Sequence, residues 1–260
     1  MPFSQTELEE LRRAKLLLEH PGLAAKLADL AGMPVEKGMK LLPSGVQKTV
    51  HKVTHKALEV ALAGALRTMR KGTGRSASNR LHRIAVAASG AVGGFAGVAG
   101  LAIELPISTG IMLRSVADIA ASEGHSPRDI DTKLECLVVF ALGSSADKRD
   151  DASESGYFAA RWALSEAVSE ASKYLAKKGL VKGIAPPLVR LVNLIATRFG
   201  IVVSQKTAAQ FVPVIGAAGG ALINTLFIAH YQDMARGHFI VRRLEKIHGA
   251  EPVRLAYEKL

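Results

Sequence analysis

The chain has 260 residues, of which 48% are hydrophobic and 22% are charged, so the composition excludes an intrinsically disordered protein. A single cysteine, Cys136, excludes a disulfide framework and a metal site built from cysteines alone. The formal net charge of +11, with an isoelectric point near 9.9, points to an anionic partner such as nucleic acid, acidic lipid or an acidic protein.

The first predicted element is an amphipathic surface helix that follows a capping box. Ser4 and Glu7 have the capping-box spacing, and leucines recur at near-helical spacing among charged residues before Pro21. This charged pattern is not that of a secretory signal peptide, which needs a continuous apolar stretch. Two short helical segments, 22–31 and 34–42, are predicted next.

A long basic helix is predicted from Pro43 to about Lys71. Residues 48–83 have a net charge of +8, because nine lysines and arginines stand against one acid, Glu59. Basic residues near an apolar run are typical of a segment attracted to an anionic leaflet, at about 1 kcal/mol per residue. The same pattern also fits a solvated basic helix face. The residues predicted to contact a membrane are Lys48, Lys52, Lys56, Arg67, Arg70 and Lys71.

Nucleic acid fits this basic block less well than lipid does. Residues 48–83 contain no Phe, Trp or Tyr that could stack on bases, and no nucleic-acid-recognition motif is present. We therefore favour anionic membrane lipid over nucleic acid as the partner. A second basic block supports this choice, since residues 171–232 contain seven lysines and arginines and no acid.

Two long uncharged runs occupy 84–103 and 207–229. Either run is long enough to span a bilayer, but both are rich in alanine and glycine. Small residues four apart, such as Gly93 and Gly97, allow another helix to approach closely, so we expect these glycines to be packing residues. Helices buried against each other are thus favoured over permanent spans.

The other predicted helices surround an acidic loop at 143–155. They occupy 107–122, 127–142, 157–178, 188–204 and 231–247. No segment shows sustained strand alternation, so the predicted fold is all-α: a multi-helix globular bundle with the two Gly/Ala-rich apolar segments packed at its centre. The predicted division is an N-terminal helical extension with the basic helix at 1–80 and a second helical domain at 81–260.

Glu104 is the first candidate functional residue, because it is ionisable and directly follows an apolar run. Burial of Glu104 alone as an anion would cost several kcal/mol. It therefore needs a partner, or a position at a hydrated break in the helix near Pro106. Arg114 would lie about 15 Å away along a straight helix and is out of reach. We expect Glu104 to meet Asn224 or His230 of the second apolar segment.

The other candidate binding residues come from the same two segments. Arg114 and Asp118 are four residues apart and can pair on one helix face. Asn224 lies within the second run and needs hydrogen-bond partners, either across helices or in a ligand. The predicted binding residues are therefore Glu104, Arg114, Asp118, Asn224 and His230.

Known metal and nucleotide signatures are absent from the sequence. His230, Asp233 and His238 do not have a known zinc spacing, and the acidic residues of 143–155 do not have EF-hand spacing. The glycine-rich runs do not follow strands and do not end in a P-loop signature, and no hydrolase motif is present. We therefore predict no metal and no cofactor, and no catalytic residue can be named.

Several short motifs, in their order along the chain, resemble the bacterial EcsC family. They lie within residues 84–248 and are ELP at 104–106, RSVADIA at 114–120, CLVVFALG at 136–143, YFAAR at 157–161, PVIGAAGG at 213–220 and ARGHFIVRRLE at 235–245. The family is named for a protein encoded beside an ABC transporter in some Gram-positive bacteria. The resemblance implies a bacterial cytoplasmic protein that works at the membrane, and it implies no established reaction.

These observations support one leading hypothesis and two alternatives. The leading hypothesis is a non-enzymatic helical protein, cytoplasmic and peripheral to the inner membrane. The basic residues of 48–83 and 173–206 would attract it to anionic lipid, or it would bind a membrane partner such as an ABC transporter. The first alternative is a hydrolase that acts on a lipid or peptide through a polar cluster around Glu104. The second is a soluble helical interaction protein. The sequence does not decide whether the protein is an enzyme.

Overall fold

The computed structural model describes residues 3–19, 23–32, 35–40, 45–68, 97–142, 156–179, 185–210 and 216–260. These residues form helices and no β-strand, which confirms the predicted all-α fold. In chain order the helices are α1 (Gln5–Glu19), α2 (Leu23–Ala31), α3 (Val35–Lys40), α4 (Val46–Thr68), α5 (Gly97–Ser122), α6 (Ile130–Val138), α7 (Gly156–Lys178), α8 (Pro186–Gln210), α9 (Gly216–His248) and α10 (Ala250–Lys259). A 3₁₀ turn, Val139–Ala141, directly follows α6.

The long helix α9 holds the bundle together. It packs against α1, α2, α5, α8 and α10, while α4 packs against α5 and α8, and α7 packs against α6 and α8. Four aromatic rings meet where α8 and α9 contact the 3₁₀ turn, with centroids 5.0 to 6.0 Å apart. They belong to Phe140, Phe199, Phe227 and Tyr231. Burial of these rings and of the surrounding Leu, Val and Ala side chains supplies the apolar driving force for the fold.

Among the described residues, two helices are long and apolar enough to cross a membrane, by length and composition alone. They are Gly100–Ser122 within α5 and Pro186–Gln210, which is α8. About 61% of the most apolar part of the first and 44% of that of the second are buried within the fold. Long apolar helices therefore lie at the centre, as predicted. Residues 84–96 of the first predicted run, including Gly93, lie outside the described residues.

The predicted break at Pro106 does not occur, because α5 continues through this residue. A proline inside a helix removes the hydrogen bond to the carbonyl four residues earlier. Here that carbonyl belongs to Ala102, which is exposed, so water can hydrate the freed oxygen. Leu105 before the proline and Met112 after it are both buried, so packing stabilises the helix across the proline.

The second apolar run and the basic tail also differ from the prediction. The run at 207–229 is divided, since residues 207–210 end α8 and residues from Gly216 onward begin α9. The tail predicted as a separate helix at 231–247 is the continuation of α9. Since one helix contains Asn224, His230 and His238, these side chains are spread along its length. The last helix, α10, was not predicted.

Candidate functional site

Glu104 forms a buried ion pair with Lys206. Lys206 Nζ donates to Glu104 Oε1 at 2.6 Å, and Asn224 Nδ2 donates to the same oxygen at 3.1 Å. The exposed fractions of Glu104, Lys206 and Asn224 are 3%, 0% and 0%. The predicted contact between Glu104 and Asn224 is confirmed. The sequence reasoning missed Lys206, which it had assigned to the basic block attracted to lipid.

The surroundings of this pair are those of a structural contact. Burial lowers the pKa of Lys206, and the nearby charge of Glu104 opposes this effect. The Lys206 ammonium also lies over the ring of Phe227, 4.8 Å from its centroid. A catalytic carboxylate must reach its substrate, whereas that of Glu104 is almost fully covered and already paired. This geometry does not by itself favour the hydrolase alternative.

Arg114 and Asp118 lie further along α5 and form the predicted pair. Arg114 Nε is 3.4 Å from Asp118 Oδ1. The ten residues between Glu104 and Arg114 correspond to about 15 Å of helix. The structure therefore brings Glu104 together with Asn224, and Arg114 together with Asp118, at separate places.

His230 lies about 9 Å beyond Asn224 along α9, from the rise of a helix. It is buried, and its ring packs against that of Tyr231 with centroids 5.1 Å apart. Within the described residues its Nε2 atom has no hydrogen-bond partner. Burial and, to a smaller extent, the charge of Lys26 in α2 together lower the pKa of His230 to about 4. His230 is therefore a neutral core residue at neutral pH.

A second polar network joins α6, α7 and α9, and the sequence reasoning did not select it as a site. Glu135 Oε2 lies 2.9 Å from His238 Nε2, and Tyr157 Oη lies 3.0 Å from His238 Nδ1. Because an ionised carboxylate only accepts, His238 donates from Nε2 and accepts from Tyr157 at Nδ1. Beside them, Arg161 donates to both oxygens of Glu245, at 2.7 and 3.0 Å.

Arg242 connects the two carboxylates of this network. Its Nη2 atom is 3.2 Å from Glu135 Oε1, and its Nη1 atom is 2.7 Å from Glu245 Oε2. Two carboxylates and two guanidinium groups are therefore paired in one cluster. Bidentate and charge-assisted bonds of this kind are the stronger ones in proteins, so the cluster is expected to be rigid.

The pKa values in this network do not favour proton transfer near neutral pH. Burial raises the pKa of Glu135, but the hydrogen bond from His238 and the charges of Arg242 and Arg161 outweigh it and hold the pKa at about 2. Burial lowers the pKa of His238 and raises that of Tyr157. General acid–base catalysis works best with a pKa near the working pH. The network is thus suited to binding or to stability.

Two of the motifs that resemble the EcsC family contain most of this network. Tyr157 and Arg161 are the ends of the motif at 157–161, while His238, Arg242 and Glu245 lie in the motif at 235–245. Within each motif these residues are three or four apart and therefore share one helix face. This spacing of polar residues is the signal that could have located the network.

The four charged residues of the network form the floor of a cleft of about 920 Å³. Residues of α6, α7, α9 and α10 line it, and Glu135, Arg161, Arg242 and Glu245 are all among them. Trp162 also lines the cleft, and 82% of its surface is exposed. No group of three or more His, Cys, Asp or Glu side chains suited to a metal occurs in the described part of the chain.

The basic residues predicted to contact a membrane are only partly described. Lys48, Lys52 and Lys56 are exposed and recur every four residues on one face of α4. Lys56 Nζ is also 3.3 Å from Glu59 Oε2. The side chain of Arg67, and all of Arg70 and Lys71, lie outside the described residues.

The second basic block contributes less free charge than predicted. Lys206 is buried against Glu104, and Arg190 donates to both Glu166 and Glu170 at 2.9 Å. Burial makes Lys206 inaccessible to lipid, so the prediction is corrected for this residue, whereas Arg190 is exposed and paired at the surface. The exposed lysines of α4 are thus the clearest basic surface.

The chain belongs to the EcsC protein family, whose model matches residues 5–244. The match begins in α1, whereas the resemblance found in the sequence covered only 84–248. No curated protein and no solved structure matches the chain significantly.

Proposed function

We propose that this member of the EcsC protein family is a non-enzymatic protein that binds anionic lipid at the cytoplasmic face of the bacterial inner membrane. The observation that supports the proposal is the row of exposed lysines on α4, Lys48, Lys52 and Lys56. Spaced one helical turn apart, they place three ammonium groups along about 12 Å of one surface, the last of them 3.3 Å from Glu59 Oε2. Each such charge contributes about 1 kcal/mol near an anionic leaflet.

The α4 lysines lie beside a second exposed helix face, that of α8. His55 Nε2 and Asn193 Oδ1 are 2.6 Å apart and join the two helices. Two exposed apolar side chains, Val60 on α4 and Leu194 on α8, belong to the same pair of helices. Basic residues combined with exposed apolar side chains are typical of surfaces that lie in the membrane interface.

The family supplies the biological setting of this proposal. A protein related to one encoded beside an ABC transporter is expected to act near a membrane, and a transporter is the alternative partner. Lipid is favoured because the α4 lysines form a simple row of charges, without the buried aromatic anchors expected at the centre of a protein interface.

Vesicle co-sedimentation tests the proposal. The protein should be retained on vesicles that contain phosphatidylglycerol and much less on pure phosphatidylcholine, with retention decreasing as salt screens the charges. Changing Lys48, Lys52 and Lys56 together to Gln should weaken binding at least tenfold. A control with Arg12, Arg13 and Lys259 changed to Gln removes three exposed charges from α1 and α10 and should have a smaller effect.

Equal retention on neutral and anionic vesicles would overturn the proposal, as would equal losses in the two triple variants. In either case the basic surface of α4 would be a solvated face or a docking site for a protein partner.

A further inference from the structure

We propose that the cleft between α6, α7, α9 and α10 is a binding site for a neutral saccharide, with one sugar ring stacked on Trp162. The volume of about 920 Å³ lies within the range of small-molecule sites and suits a ligand of more than one ring. This site is separate from the basic surface of α4, and the inference does not depend on the proposed lipid binding.

The charges of the cleft floor cancel. Glu135 and Glu245 are both paired with Arg242, and Glu245 is also paired with Arg161. A charged ligand would have to separate one of these pairs and leave its partner uncompensated, which is costly in a partly buried site. A neutral ligand leaves every pair in place.

The rim of the cleft is balanced in the same way. Arg254 Nη2 is 2.7 Å from Glu251 Oε1, and Asp131 and Lys173 add one charge of each sign. The cleft as a whole therefore has no net charge with which to attract an ion. This distinguishes it from an anion site, where unpaired basic groups would be expected.

The polar groups of the cleft retain unused hydrogen-bonding capacity. Carboxylate oxygens and guanidinium groups have more acceptor and donor positions than the bonds of the network use. Three serines, Ser165, Ser169 and Ser172, also line the wall formed by α7. The hydroxyls of Ser165 and Ser172 donate to the Trp162 carbonyl and to Asp131 Oδ1, and each keeps an oxygen that can accept a further bond. A sugar hydroxyl donates and accepts at the same time, so it matches a surface that offers both kinds of group side by side.

Trp162 supplies the feature that favours a sugar over other neutral polar ligands. A side chain of this size is usually well buried, yet 82% of Trp162 is exposed where it lines the cleft. The face of an indole ring is electron-rich, so it attracts the weakly positive C–H bonds on the flat side of a sugar ring. Phe158 and Val168 extend the apolar side of the cleft.

Fluorescence of the native protein tests this inference directly, because Trp162 is the single tryptophan of the chain. We expect a saturable change in its emission with at least one of maltose, cellobiose and chitobiose, and a weaker one with glucose 6-phosphate. Ser169→Phe adds a bulky ring to the α7 wall of the cleft, leaves the charged residues unchanged and should strongly reduce the change. Arg190→Gln removes an ion pair between α8 and α7 outside the cleft, so this variant should keep the change in emission.

Calorimetry provides a second readout that does not depend on the tryptophan signal. Trp162→Ala should weaken the binding of the best disaccharide at least tenfold, with unchanged circular dichroism showing that the fold is kept. The inference is overturned if none of the three disaccharides binds the folded protein, or if Ser169→Phe binds as well as the unmodified chain. Tighter binding of glucose 6-phosphate or of a short peptide would also overturn it, and would identify an anion or peptide site.

Discussion

Glu104 on α5 and Lys206 on α8 are 102 residues apart in sequence, yet their charged atoms lie 2.6 Å apart inside the bundle. Both helices are long and apolar enough to span a membrane. Each contributes one buried charge that the other helix neutralises. The pair therefore specifies how α5 and α8 are aligned, since sliding one helix past the other would leave both charges unpaired.

Removing one member of this pair should be strongly destabilising. Lys206→Met leaves the Glu104 carboxylate buried without its cation, so we expect the free energy of unfolding to fall by about 3–5 kcal/mol. Glu104→Gln should have a comparable effect. Urea denaturation of both single variants and of the double variant measures the coupling. The double variant is expected to lose less than the sum of the single losses, and strict additivity would show that the two side chains do not interact.

The Arg161–Glu245 pair should contribute more to stability than an exposed pair with similar bonds. Arg161→Met leaves a mostly buried carboxylate short of its main partner, with an expected loss of about 2–3 kcal/mol in the free energy of unfolding. Arg254→Met breaks bonds to Glu251 and Glu258 at a more exposed site and should cost clearly less. Equal losses in urea denaturation would contradict the importance of burial here.

Gly237 should be intolerant of a side chain because α1 lies directly on α9 there. A Cβ atom at this position would be 2.7 Å from Leu18 Cγ and 3.0 Å from the Ala14 carbonyl oxygen. We expect Gly237→Ala to destabilise the protein by about 1–3 kcal/mol. Gly200→Ala is the matched control, because nothing lies within 4 Å of its Cβ position in α8. That change should stabilise the helix by about 0.5–1 kcal/mol, and thermal unfolding compares the two variants.

Stability should fall as the pH is lowered from about 6.5 to 4. Burial lowers the pKa of His230 and of His125 from 6.5 to about 4 in the folded protein. As the pH falls, these histidines bind protons in the unfolded chain before they do so in the folded protein. This contribution to stability is therefore complete above pH 6.5 and is lost as the pH falls towards 4. For each residue the lowered pKa corresponds to a loss of about 3 kcal/mol in the free energy of unfolding once the pH is below 4.

His230→Leu should reduce this pH dependence, since it removes one of the buried histidines whose pKa is lowered. Free energies of unfolding at pH 7, 5.5 and 4.5 measure the slope, and exposed His51→Gln is the control that should leave it unchanged. An identical slope in His230→Leu and the unmodified chain would show that His230 is not held neutral by burial.

The sequence by itself determined the fold class and part of the buried cluster. Apolar residues at helical spacing and the absence of strand alternation are local properties, so they predicted an all-α bundle. A carboxylate next to twenty uncharged residues needs a partner wherever the chain folds, which is why the contact of Glu104 with Asn224 could be predicted. The helix ends were predicted less well, because packing at Pro106 and along α9 outweighed the local signals.

The tertiary structure alone decided which polar residues meet. Lys206 has no sequence feature that separates it from the other lysines of its basic block, and only the packing of α5 and α8 on α4 and α9 brings it to Glu104. In the same way Glu135, Arg161 and Glu245 come from three helices. The spacing within the motifs indicates a polar face on α7 and another on α9, but not which faces meet. Pairing across helices depends on how apolar faces pack together, and that is a property of the whole chain rather than of any segment.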